Sequence, residues 1–120
     1  MILKRQPVAE QSAAERIKNF GEVSLGYDDA AALAEAKRCL SCKNARCISG
    51  CPVNTDIPAF IDLIRAGRVT DAYLKIRENN HLPGICGRVC PQEEQCEKLC
   101  VRNNERAGGA VSIGALERYA

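Results

Sequence analysis

Ile57, Phe60, Ile61 and Ile64 recur at i, i+3, i+4 and i+7 behind Asp56 and Pro58. That spacing puts four large apolar side chains on one face and predicts a helix that starts at the aspartate and stops at Gly67. TDAYLKIREN predicts a second helix, with Ala72, Tyr73 and Ile76 inward. Upstream, Ser12 and Glu15 read as a capping box ahead of Ile17 and Phe20, which predicts a short helix over 13–20. FGEVSLGY reads as a connector. Asp28 or Asp29 can cap the Ala-rich stretch AAALAEAKRCL, which carries Cys39 at its end. Asn79, Asn80, Pro83 and Gly84 then break the chain. Beyond them Cys86 and Cys90 are i, i+4, as are Cys96 and Cys100, so each pair is expected on one face of a helical turn. NNERAGGA (103–110) reads as a loop, and Ser112 caps a last helix, IGALERYA. Period-2 alternation is nearly absent, so the expected fold class is all-α.

Composition changes this picture in one respect. The chain has 120 residues, no Trp, two Phe and three Tyr. So sparse a core usually needs staples, and the eight cysteines are the candidates. A net charge of +2 makes no electrostatic case for nucleic acid or an anionic membrane. The N-terminal MILKRQPVAEQSAAERIKNF lacks the apolar centre of a signal peptide, and no run nears the ~18 apolar residues of a membrane span. The expected location is cytoplasmic, where clustered cysteines more often bind metal or do redox work than form disulfides.

The cysteines form two quartets, 39/42/47/51 and 86/90/96/100. Structural zinc would use two C-x2-C knuckles, but only Cys39 and Cys42 make one. A zinc-stabilised interaction module is therefore the weaker reading, and iron–sulfur the stronger. In the bacterial run C-x2-C-x2-C-x3-C-P the last cysteine serves the other of two clusters. Here the run is C-x2-C-x4-C-x3-C-P, and C-x3-C-P recurs as CGRVCP at 86–91. Cys39, Cys42 and Cys47 are thus expected on one [4Fe–4S] cluster, with Cys51 departing to a second. Lys37, Arg38, Lys43, Arg46, Arg88 and Lys98 lie near the ligands, although most are expected to be a solvated face. Backbone N–H groups aimed at sulfur are expected to matter more for potential. His81, outside any ligand spacing, reads as a surface residue.

AKRCLSCKNARCISGCPVNTDIPAFI, LPGICGRVCPQEEQCEKLC and the closing IGALERYA together resemble the N-terminal domain of the glutamate synthase small subunit. The same module opens NADH-dependent ferredoxin:NADP oxidoreductase large subunits and dihydropyrimidine dehydrogenase. The resemblance runs from about Arg5 to the end. It implies an α-helical ferredoxin-like domain stapled by two [4Fe–4S] clusters at 28–120, behind an N-terminal arm at 1–27. It implies a wire between FAD, which meets NADPH on following domains absent from this chain, and a glutamate synthase large-subunit-like partner. The chain ends where the family enters its FAD-binding domain, so it is expected to be part of a longer oxidoreductase, the alternative being a stand-alone carrier. No substrate or flavin site is visible in it.

The resemblance also bears on the ligand set. Relatives use Gln or Glu at the position of Glu117 as the fourth ligand of one cluster. Glu117 shares a helical face with Ile113, Leu116 and Ala120, where an unpaired carboxylate would be costly. A salt bridge to an arginine is the plainer alternative. The expected sets are Cys39, Cys42, Cys47 and Cys100 for the first cluster, and Cys51, Cys90, Cys96 and Glu117 for the second. Cys86 is then a spare thiol and the alternative fourth ligand.

Overall fold

The computed structural model describes residues 4–120, so the first three residues of the expected arm lie outside the described residues. A short antiparallel pair, β1 (Ala9–Glu10) and β2 (Ser24–Gly26), brackets the single-turn α1 (Ala13–Arg16). Then follow α2 (Asp29–Ala36), α3 (Arg46–Gly50), α4 (Ile57–Arg65), α5 (Val69–Arg77), α6 (Pro83–Val89), a 3-10 turn (Glu105–Ala107) and α7 (Ile113–Tyr119). α6 packs on α7, α4 on α5, and α2 on both α4 and α7.

The periodic segments fold as their patterns require. Ile57, Phe60, Ile61 and Ile64 of α4 are all buried and meet Ala72 and Ile76 of α5. Asp56 caps α4 by accepting from the Ala59 N–H, and Asp28 caps α2 by accepting from the Ala31 N–H. Tyr73 does not point inward. It is half-exposed, and the Arg77 guanidinium lies 5.7 Å from its ring centre.

The fold is mostly helical and not all-α, because the expected connector FGEVSLGY supplies β2. Two or three residues per strand are too few for alternation to register. The pairing is held from outside, as Arg118 of α7 donates to the Ser24 carbonyl. The helix expected over 13–20 keeps its Ser12 cap but ends after one turn. Ile17 and Phe20 are exposed, so no buried face rewards further turns. α2 also stops early, at Ala36, leaving Cys39 in the turn beyond it. Cys96 and Cys100 lie in successive turns rather than on a helix, with Cys100 N–H bonding the Glu97 carbonyl. The 39–52 loop contains a helix that the pattern did not announce, α3.

Candidate metal centre

Two groups of thiols form, each drawn from distant segments. Cys39 follows α2, Cys42 lies in the next turn, Cys47 opens α3 and Cys100 ends the turn segment before 103. These four line one cavity whose walls include Ile57, Ile61 and Ile113. Burial pushes Cys47 up to about 11, with the negative charge of Cys100 and Cys39 adding to it. Burial likewise raises Cys39, with the charge of Asp62 and then of Cys100 and Cys42 contributing. The second group joins Cys51 just past the end of α3, Cys86 on α6, Cys90 at the cap that ends α6, Cys96, and Glu117 on α7. Burial pushes Cys90 up to about 11, with Cys86, Glu117 and Cys51 adding repulsion. Cys96 is pushed up to about 12, by burial first and then by Glu97, Cys51 and Glu117.

The chemistry of these donors fits a group that takes several thiolates at once. Buried thiolates that repel one another are stabilised by a cationic centre between them, and the first cavity already has Arg46 and Arg102 in its lining. All eight cysteines are free thiols. Among the described residues no three His, Cys, Asp or Glu side chains close on a point suited to one bare ion.

The turns around the first group aim N–H groups at sulfur. The Ser41 amide bonds Cys39, and the Ile48 amide bonds Cys47. Ser41 adopts a left-handed φ of 47°, unusual for a residue with a side chain. α4 holds it there: Ser41 Oγ donates to Asp62 Oδ1 at 2.7 Å, and Arg65 bonds both Asp62 and Ser41. In the second group the Glu97 amide bonds Cys96, and the buried Thr55 hydroxyl lies 3.5 Å from Cys51 Sγ.

The structure brings Glu117 to the second group, half-buried, and among the described residues no arginine forms the salt bridge considered as its alternative. Its partner is Asn80, whose Nδ2 donates to Oε1 at 2.7 Å, and burial raises the carboxyl despite that bond. Pattern reading treated Asn80 only as a break, along with its neighbours. Its role, like those of Thr55 and Asp62, depends on tertiary packing that no spacing announces. The basic residues divide as expected, with one exception. Lys37, Lys43, Arg46, Arg88 and Lys98 are exposed, whereas Arg38 is fully buried in an ion pair with Glu35. His81 is exposed.

Known proteins share this arrangement of sequence. The chain is 44% identical over 100 residues to the glutamate synthase [NADPH] small chain of Escherichia coli (strain K12), covering 83% of this chain and 21% of that one. It is 40% identical over 115 residues to the same subunit of Halomonas elongata, covering 96% and 24%. It is 39% identical over 98 residues to the NAD-dependent dihydropyrimidine dehydrogenase subunit PreT of E. coli, covering 82% and 23%. The chain thus spans less than a quarter of the length of these relatives. Residues 16–120, which include every cysteine and Glu117, match the family described as dihydropyrimidine dehydrogenase domain II, 4Fe-4S cluster, and the chain belongs to that family.

Proposed function

We propose that this domain carries two [4Fe–4S] clusters and relays electrons between an FAD- and NADPH-binding domain or subunit and a glutamate synthase large-subunit-like partner, in the cytoplasm. The observation that carries the reading is the convergence of the thiols into two separate groups on one small helical frame. The proposed ligands are Cys39, Cys42, Cys47 and Cys100 for one cluster, and Cys51, Cys90, Cys96 and Glu117 for the other. Such a cluster, when bound, takes up and releases electrons singly, with a potential set by charge, hydrogen bonds to sulfur and exposure.

The chain's own residues have three tasks here. The thiolates hold the clusters across segments distant in sequence. The amides of Ser41, Ile48 and Glu97, aimed at sulfur, stabilise negative charge on the ligands. Ile57, Ile61 and Ile113 wall the first group with apolar surface and limit water there.

The test is anaerobic reconstitution with ferrous iron and sulfide, followed by iron counting, visible absorption and EPR. Iron for two clusters is expected. Protein that takes up zinc in preference, with no iron and no visible band, would sink the reading. For the ligand sets, Cys86→Ala should keep both clusters and Glu117→Ala should alter one. The opposite pattern would make all eight cysteines the ligands.

A further inference from the structure

Asn80 stands between the two candidate fourth ligands of the second group. It follows α5, where its N–H bonds the Ile76 carbonyl at 2.9 Å, and it is only 6% exposed. Its Nδ2 donates to Glu117 Oε1 at 2.7 Å. Its Oδ1 accepts from the Leu82 N–H at 2.9 Å and lies 3.7 Å from Cys86 Sγ.

A carboxamide can be turned either way round, but here a neighbour fixes it. The Leu82 amide can only donate, so the oxygen must face Leu82 and Cys86, and the NH2 must face Glu117. The two ends then favour different chemistry. The NH2 end suits an anionic carboxylate, because the bond to a charged acceptor is the stronger kind. The oxygen end suits a thiol that donates its S–H, and it offers a thiolate no donor. Iron binds cysteine as thiolate and glutamate as carboxylate. The buried amide therefore supports the ligating form of Glu117 and opposes that of Cys86. Only Oε1 of Glu117 is engaged by Asn80, which leaves Oε2 for a metal.

We propose that Asn80 is a positioning residue that commits Glu117, and not Cys86, to the second cluster. This inference rests on the ligand reading above and deepens it by naming what decides between two available donors.

The experiment uses protein reconstituted anaerobically with ferrous iron and sulfide, read by iron content, EPR of the reduced state and midpoint potential. Asn80→Asp keeps the size and the acceptor for Leu82 but turns an oxygen toward Glu117. Its expected result is full iron content, with the second cluster's EPR signal and potential moved to those of Glu117→Ala, because Cys86 now ligates in both. Adding Cys86→Ala to Asn80→Asp should remove half of the iron, although Cys86→Ala alone removes none. The first cluster's signal serves as the control for folding. Should Asn80→Asp lose that signal too, Asn80→Ala, which removes both bonds, is read by the same criteria. An unchanged spectrum together with full iron in the double variant overturns the inference. So does loss of half the iron when Cys86 is still present. If wild-type protein takes up no iron, it is the two-cluster reading that fails. If wild type is fully loaded and only the Asn80 variants disobey, the inference alone fails.

Discussion

Arg38 Nη1 donates to Glu35 Oε1 at 2.6 Å, and neither side chain reaches solvent. The pair ties several segments together. Arg38 also donates to the carbonyls of Gly108, Gly109 and Ala110, while Glu35 accepts from the amides of Gln6 and Ser112. It therefore fixes the entry to α7 immediately beside Cys39. Removing one partner strands a buried charge, at a cost of about 3–5 kcal/mol. Arg38→Met and Glu35→Gln are each expected to lower the anaerobic denaturation midpoint sharply. A shift no larger than that of Lys37→Met, at an exposed neighbour, would show that the pair does not hold the fold.

A second prediction concerns the contact of α6 with α7. A Cβ on Gly87 would stand 2.7 Å from the Arg118 nitrogen and 2.9 Å from its Cα, both of them backbone. Neither atom can swing aside, so the helices must separate. Gly87→Ala is expected to cost about 1–3 kcal/mol, as overpacking does. It should also disturb the second cluster, because Cys90 caps the end of one helix and Glu117 lies on the other. Gly84→Ala is the control, since its nearest neighbour would be the flexible Arg88 Nη1 at 3.7 Å. Equal melting curves and EPR spectra for the two variants would contradict this account.

The turn at Ser41 supplies a third. Its left-handed backbone costs of order 1–3 kcal/mol unless its surroundings impose it, and Asp62 is what receives its hydroxyl. Ser41→Ala removes that anchor and leaves in place the negative charge of Asp62 near Cys39, so it should let the turn relax and weaken the N–H bond to Cys39 sulfur. The expected readout is a lowered first-cluster potential with the second unchanged, measured by redox titration followed by EPR. Movement of both potentials together would point to a global effect instead.

Folding itself should depend on the bound metal. The buried apolar side chains are few, and Cys96 is counted among them, with Cys39, Cys47, Cys51 and Cys100 packed against that core. Metal-binding free energy becomes folding free energy when the unfolded chain has no site. Circular dichroism before and after anaerobic chelation should show loss of the cooperative melt. A chelated protein melting at the same temperature would argue against it.

Acid should loosen the hairpin. The hydrogen bond from Arg88 holds the Glu22 carboxyl below its usual range, against a smaller opposing effect of burial, and Arg118 adds to the lowering. A depressed folded value means that the contact contributes above the unfolded pKa and is lost as pH falls through the folded one. Exchange of the Ser24–Gly26 amides, corrected for intrinsic rates, should therefore speed up on acidification. Glu22→Gln should exchange faster already at neutral pH and lose that extra dependence. An identical acid response in the variant would place the titrating group elsewhere.

What could be read from the sequence follows the range of the forces involved. The α4 face was legible because helical packing repeats at fixed spacing, and the caps at Asp28 and Asp56 because they act within three residues. The cysteine quartets were legible for the same reason. β2 was not, because Arg118 holds it from the far end of the chain. Nor was the inward turn of Arg38, whose acceptors lie at Gly108, Gly109 and Ala110. Asn80 looked like any asparagine in a break, and its meaning lies in the orientation of its amide between Glu117 and Cys86.

α3 has a consequence for distance. It is five residues long, with Cys47 at its start and Cys51 just past its end, so one rigid helical turn separates a proposed ligand of each cluster. Gly50 beside Cys51 is seated against the Gln95 carbonyl, where a Cβ would come within 2.7 Å. The gap an electron would cross is then set by covalent geometry, and no hinge between the clusters could lengthen it. Adding a single residue to α3 would rotate Cys51 by about 100°. The phase of that one turn keeps both ends of the path in register.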